Sequence, residues 1–178
     1  MDILRCFHSH KKRKQTIEVL MVGLCGSGKT SILNKLRYGE TGTTLPSINF
    51  NEETIEFQTA LFHIYDVCGQ DKIRPLWSHY FEKAQGIIFV VDSSEDEYFE
   101  LAREEIHRVM SDEKLINAAL LVFANKQDLS SALDAEELGK KLQLTKLRFP
   151  KWKIQNCIAT TGEGLNEGLT FLTKEILK

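Results

Sequence analysis

Short apolar runs alternate with amphipathic stretches along most of the chain. The apolar runs are rich in β-branched residues, and they predict six strands at residues 16–22, 54–57, 60–67, 86–92, 118–125 and 152–159. Apolar residues at helical spacing predict helices at residues 29–38, 96–110, 134–142 and 165–177. The pattern therefore indicates strands and helices in alternation over nearly the whole sequence.

Such an alternation predicts an α/β fold with a six-stranded, mostly parallel sheet and helices on both faces. We expect a single domain over residues 16–178, preceded by a short segment, residues 1–15. Ligands of parallel sheets bind at the carboxyl ends of the strands. The polar motifs described below all follow predicted strands, so they are expected at one edge of the sheet.

Composition narrows the class of protein. The chain has 178 residues, of which 42% are hydrophobic and 27% charged, and its formal net charge is −2. This balance lacks the positive charge of a general nucleic-acid binder, so we expect no nucleic-acid partner. Four scattered cysteines, Cys6, Cys25, Cys68 and Cys157, form no CxxC pair, which favours a reducing cytoplasm over a disulfide framework or a zinc site.

The segment GLCGSGKT, residues 23–30, matches the phosphate-binding pattern G-x-x-x-x-G-K-[ST] between a predicted strand and a predicted helix. Its backbone N–H groups would face phosphates, Lys29 would reach the β- and γ-phosphates, and the Thr30 hydroxyl would ligate Mg²⁺. The motif does not distinguish ATP from GTP. The expected nucleotide-binding residues here are Gly23, Leu24, Cys25, Gly26, Ser27, Gly28, Lys29, Thr30 and Ser31.

The sequence NKQD, residues 125–128, follows the fifth predicted strand and indicates selection of guanine. The Asp128 carboxylate can accept hydrogen bonds from guanine N1–H and the 2-amino group, which adenine does not offer together. Leaving a buried carboxylate unmatched costs roughly a hundredfold in affinity. Asn125 belongs to the same motif, and the Lys126 stem is expected to lie across the plane of the base.

The third strand ends in DVCGQ, residues 66–70, which suggests a site of phosphoryl transfer. Asp66 is placed to hold Mg²⁺ through a water molecule. Gly69 can offer its backbone N–H to the γ-phosphate, and Gln70 can orient the attacking water as the catalytic residue.

With these motifs, the sequence from about Ile17 onward resembles the ADP-ribosylation factor (Arf) family of the Ras superfamily. The stretch YDVCGQDKIRPLWSHYF, residues 65–81, resembles the family's switch II almost residue for residue, and residues 43–57 resemble switch I and the strand after it. The resemblance implies a P-loop NTPase with the small G-protein fold that binds GTP or GDP with Mg²⁺. It implies slow hydrolysis of GTP by a monomer that works with an exchange factor, a GTPase-activating protein and effectors in membrane traffic.

The resemblance also assigns residues. Ser47 stands where the family has a switch I threonine that ligates Mg²⁺. Ile158, Ala159 and Thr160 correspond to the last guanine-binding loop, with the Ala159 N–H on the guanine oxygen. An aromatic effector-binding surface is expected at Phe50, Tyr65, Trp77 and Tyr80.

Several positions depart from the family pattern. The chain begins Met1-Asp2, so the glycine that accepts myristate is missing. Asn49 replaces a glycine of the family's switch I, and Cys68 replaces the first glycine of its G-G-Q. We expect the fold and nucleotide binding to persist, with a GTP-bound scaffold of negligible hydrolysis as the alternative function. A P-loop nucleotide kinase is a further alternative, which NKQD disfavours.

The N-terminal segment has the pattern of a membrane-binding peptide. Ile3, Leu4 and Phe7 can form the apolar side of a short helix, and the basic run KKRK, residues 11–14, follows it. Four basic residues near an anionic leaflet contribute about 4 kcal/mol, at about 1 kcal/mol each. Stable anchoring takes a second signal, either the apolar helix or a palmitate on Cys6. We expect a cytoplasmic protein held peripherally at the Golgi, another endomembrane or the plasma membrane.

Overall fold

The computed structural model describes residues 14–39, 51–147 and 151–178. Its strands are β1 (Gln15–Gly23), β2 (Asn51–Phe57), β3 (Ala60–Asp66), β4 (Gly86–Asp92), β5 (Ala119–Asn125) and β6 (Trp152–Asn156). Its α-helices are α1 (Lys29–Tyr38), α2 (Phe99–Met110), α3 (Ala135–Lys141) and α4 (Leu165–Ile176). Short 3₁₀ helices cover Arg74–Tyr80, Asp96–Tyr98, Glu113–Leu115 and Leu144–Lys146.

The strands form one six-stranded sheet in the order β2-β3-β1-β4-β5-β6. Only the β2–β3 pair is antiparallel, and the other four pairs are parallel. The register places Met21 opposite Asp66 and Asp92 opposite Asn125, so the carboxyl ends of β1, β3, β4 and β5 meet at one edge. The predicted mostly parallel α/β sheet is confirmed.

Each face of the sheet carries its own hydrophobic core. On one face, the strands pack against α2, α3 and the 3₁₀ helix Arg74–Tyr80 through residues such as Phe89, Ile106 and Leu138. On the other face they pack against α1 and α4. All seven residues of β5 are buried, as expected of a central strand covered on both sides. Burial of this kind fixes the strand ends, from which the site loops start.

The largest differences from the predicted element boundaries are three residues each, at β2, β6 and α2. Strand β2 begins at Asn51 rather than at residue 54. The last strand stops at Asn156 rather than continuing to residue 159, because Ile158 N donates to Glu163 O at 3.0 Å and Ala159 N donates to the Asn125 side chain at 3.1 Å. The predicted helix 96–110 begins as a 3₁₀ turn and becomes α-helical at Phe99. In the described residues, no helix combines the length and apolar character that crossing a membrane requires.

Candidate nucleotide-binding site

The phosphate loop spans the gap between the end of β1 at Gly23 and the start of α1 at Lys29. Gly26 and Gly28 have φ angles of 79° and 95°, in the left-handed region that favours glycine. A Cβ on Gly28 would lie 2.3 Å from Nδ2 of Asn125. Glycine is therefore required at residue 28 both by the backbone angle and by the closeness of the Asn125 amide.

Lys29 lies folded back over the start of this loop. Its ammonium Nζ donates to the backbone oxygens of Gly23 at 2.9 Å and Leu24 at 2.8 Å, and the residue is only 7% exposed. Burial lowers the pKa of Lys29, and the nearby Asp66 carboxylate opposes that shift. The loop thus holds a desolvated cation among its own carbonyl groups at the helix N-terminus, where an anionic phosphate is favoured.

Thr30 and Asp66 bring two oxygen ligands together beside Lys29. The Thr30 hydroxyl donates to Oδ2 of Asp66 at 3.2 Å, and Asp66 is 1% exposed. Burial raises the pKa of Asp66, while Lys29 and the Thr30 hydrogen bond act in the opposite direction. Two hard oxygen ligands suit Mg²⁺, because Mg²⁺ bound to a protein usually keeps several water ligands and also binds the phosphates of the substrate. Ser47, the other predicted ligand, lies outside the described residues.

The chain after β3 lies directly against the phosphate loop. A Cβ on Gly69 would be 2.1 Å from the Gly23 oxygen and 2.8 Å from the Cys25 nitrogen, so only glycine permits this approach. Gln70 follows with an exposed side chain. The structure therefore brings Gly69 to the loop that carries Lys29, where the sequence placed the γ-phosphate, and Gln70 is the next residue along the chain.

The buried amide of Asn125 joins the phosphate loop to the loop after β6. Its Nδ2 donates to the Ser27 oxygen at 2.8 Å, and its Oδ1 accepts from the Ala159 N–H at 3.1 Å and the Cys157 thiol at 3.5 Å. Burial raises the pKa of Cys157, which keeps that thiol a donor. Asn125 is thus a brace between loops, which its place in NKQD does not reveal.

A cavity of about 190 Å³ lies where these loops meet. Its walls combine the phosphate loop and α1 with both predicted guanine-binding loops, and the lining residues are Gly28, Ser31, Asn125, Lys126, Asp128, Leu129, Ala159 and Thr160. Asp128 and Ala159 therefore face the same space, as guanine recognition requires. Ile158 does not line this cavity, and Leu129 is a lining residue that only the tertiary structure identifies.

A second cavity, of about 270 Å³, lies beside the first four residues after β1. It is bounded by Leu24, Cys25, Gly26 and Ser27 together with Gly69, Asp92 and the start of α2. Lys126 lines both cavities, and its Nζ lies 2.5 Å from Oδ2 of Asp92. Asp92 belongs to none of the sequence motifs, but its position at the end of β4, opposite Asn125 of β5, is the signal that places it at this edge.

The predicted aromatic surface needs one correction. Trp77 is fully buried, its indole N–H donates to the Cys68 oxygen at 3.1 Å, and its ring meets Phe89 edge-on at 6.2 Å. The expectation that Trp77 is part of an exposed surface is therefore wrong for this structure, because the 3₁₀ helix turns the indole toward the sheet. Tyr65 is also largely buried and packs on Tyr80 with 5.5 Å between ring centroids. Phe50 lies outside the described residues.

Replacing Asn125 with aspartate should destabilise the protein without changing the size of the side chain. The substitution keeps the acceptor for Ala159 but puts a carboxylate oxygen against the Ser27 carbonyl, so we expect the free energy of unfolding to fall by about 2 kcal/mol or more. Urea denaturation measures this change. Asn166→Asp, at an exposed position in the first turn of α4, is the matched control and should stay within about 0.5 kcal/mol of the wild type. Equal unfolding midpoints for Asn125→Asp and the wild type would contradict the role of the brace.

Comparison with known proteins agrees with this geometry. The model of the ADP-ribosylation factor family matches residues 3–176. Among solved structures, the chain is similar to the Arl6 BBS3 small GTPase from Trypanosoma brucei, determined with the bound nucleotide analogue GppNp. That match has 30% sequence identity and a TM-score of 0.83, and it covers 92% of this chain and 98% of the other. With a family match over residues 3–176 and a phosphate loop beside a cavity lined by Asp128 and Ala159, the chain belongs to the ADP-ribosylation factor family of small GTPases.

Proposed function

We propose that this GTPase is a GTP/GDP-regulated switch in membrane traffic that hydrolyses GTP slowly and recruits effectors to a membrane in its GTP state. The observation that carries the proposal is the convergence of three loops. Asp66 at the end of β3 lies beside Lys29 and Thr30 of the phosphate loop and α1. Asp128 of the NKQD loop lines a cavity together with Gly28 of the phosphate loop, and the Asn125 amide joins these two loops. Family members work with exchange factors, GTPase-activating proteins and effectors, and we propose the same kinds of partner here.

In this proposal each loop has a separate task. The phosphate loop N–H groups and Lys29 bind the phosphates, and Asp128 with the Ala159 N–H recognises the base. Thr30 and Asp66, with Ser47, would hold Mg²⁺, which would neutralise phosphate charge when bound. Gln70 orients the attacking water. Intrinsic turnover of such switches is about 10⁻⁴–10⁻³ per second when an arginine finger is supplied only by a partner.

The base specificity tests the proposal directly. Asp128→Asn replaces an acceptor pair with one acceptor and one donor, so it should weaken GDP binding about a hundredfold. Xanthosine diphosphate, which carries a 2-oxo group where guanine has a 2-amino group, should gain in relative affinity because the new amide can donate to that oxygen. Dissociation constants for GDP, xanthosine diphosphate and ADP, measured on both proteins, give the comparison. Equal affinity of the wild type for ADP and GDP would favour the nucleotide kinase alternative.

Hydrolysis tests the role of Gln70. Gln70→Leu removes the group that orients water while leaving the phosphate loop and base cavity untouched, so the single-turnover rate should fall about tenfold or more. GDP affinity should stay the same, which serves as the internal control. An unchanged rate would remove Gln70 from the mechanism. A wild type that shows no measurable hydrolysis of bound GTP would instead support the GTP-bound scaffold.

Membrane contact is proposed from the N-terminal segment, of which residues 1–13 lie outside the described part of the chain. Replacing Lys11, Lys12 and Arg13 with glutamine should reduce sedimentation of the GTP-loaded protein with anionic liposomes at low salt, because each lost charge removes about 1 kcal/mol of attraction. Three exposed lysines of the G domain, replaced in the same way, form the matched control: Lys140, Lys146 and Lys178. Equal pelleting of both variants, or no pelleting of the wild type, would contradict the proposal.

A further inference from the structure

Lys126 is held in an unusual backbone conformation at the point where β5 ends. Its φ angle is 67°, in the left-handed region that non-glycine residues rarely adopt. The Leu129 N–H donates to the Lys126 oxygen at 3.0 Å, and the Gln127 N–H donates to the Cys157 oxygen at 3.3 Å. A conformation of this kind persists when the surrounding structure fixes it, and it often does so at binding sites.

The Lys126 side chain connects the two cavities of the site. Among the described residues, it alone lines both the base cavity with Asp128 and the larger cavity on the side of Asp92. Its ammonium lies 2.5 Å from Oδ2 of Asp92. Lys126 therefore lines the base cavity while its ammonium is paired with Asp92, a residue of the larger cavity.

Hydrogen bonds from Ser94 fix the orientation of the Asp92 carboxylate independently of the lysine. Its Oδ1 accepts from the Ser94 N–H at 3.0 Å and the Ser94 hydroxyl at 2.6 Å, which leaves Oδ2 for the Lys126 ammonium. The Asp92 side chain is 12% exposed, so solvent screens the ion pair only partly. Because β4 pairs with β5 and Asp92 lies opposite Asn125, strand register sets the distance between the carboxylate and the next residue, Lys126.

We propose that Asp92 is a positioning residue for guanine nucleotide binding, which holds the Lys126 ammonium so that the lysine stem covers the base. A free lysine stem has many rotamers, and ordering it in advance reduces the entropy lost when the nucleotide binds. The pair also neutralises the Asp92 charge, which faces the same cavity as Gly26 and Ser27 of the phosphate loop. The inference rests on the proposed guanine-nucleotide function.

A double-mutant cycle on GDP affinity tests the inference. Asp92→Asn keeps an oxygen for Ser94 but removes the charge, and Lys126→Met keeps an apolar stem but removes the ammonium. Each change should raise the GDP dissociation constant by about three- to tenfold. The double variant should bind GDP no more weakly than Lys126→Met alone, because both substitutions remove the same interaction.

Asp96→Asn is the matched control, since Asp96 also pairs with a lysine, Lys141, but in a pair whose side chains are 79% and 56% exposed. It should change GDP affinity less than about twofold. The single-turnover rate of bound GTP in Asp92→Asn should equal that of the wild type, because the proposed effect concerns the base and not the γ-phosphate. A purely structural role for Asp92 would lower that rate as well.

Three outcomes overturn the inference. They are unchanged GDP affinity in Asp92→Asn, the same loss from Asp92→Asn in the Lys126→Met background as in the wild type, and a lowered single-turnover rate. The proposed function fails separately, if the wild type does not bind GDP in preference to ADP. If the wild type prefers GDP to ADP but the losses of GDP affinity in the double-mutant cycle are additive, the proposed function stands. Only the positioning role of Asp92 is then rejected.

Discussion

The hydrogen bonds of the Asn125 amide are the interaction on which the rest of the site depends. One buried side chain connects Ser27, 98 residues earlier, to Ala159, 34 residues later. Both of its polar atoms are matched, a donor to a carbonyl and an acceptor to an N–H. A buried amide that lost either partner would carry the full desolvation cost of the unmatched atom, so the loops it joins are held in one arrangement.

The sheet core makes this brace possible. Strands β1, β4 and β5 are buried on both faces, and their parallel pairing brings Gly23, Asp92 and Asn125 to one edge. Apolar burial of the strands stabilises the fold, whereas the edge carries groups that are costly to bury, among them Lys29 and Asp66. Lys126, at the same edge, has a left-handed backbone angle. The cost of burying charged groups is thus borne where the nucleotide is expected, and the packed strands stabilise the protein against that cost.

Hydrophobic periodicity was sufficient for the strands, the helices and the parallel topology, because buried strands and amphipathic helices leave direct patterns in the sequence. Periodicity failed where the burial of a side chain or the end of a strand depended on contact with a segment distant in the chain. Trp77 looks like a surface aromatic in a switch segment, yet it is buried because Phe89 and the Cys68 carbonyl lie within its reach. The last strand ends early because the Ala159 N–H donates to the Asn125 side chain instead of to a neighbouring strand.

The sequence by itself indicated a GTPase of this family, since the GLCGSGKT, DVCGQ and NKQD motifs each place particular residue types at a short fixed spacing. Lys29, Asp66 and Asp128 were therefore recognisable from local motifs. The tertiary structure alone decided that Asn125 is a brace, that Trp77 belongs to the core, and that Lys126 meets Asp92. These relations arise from strand register and side-chain burial between segments distant in the chain, and local spacing contains no information about either.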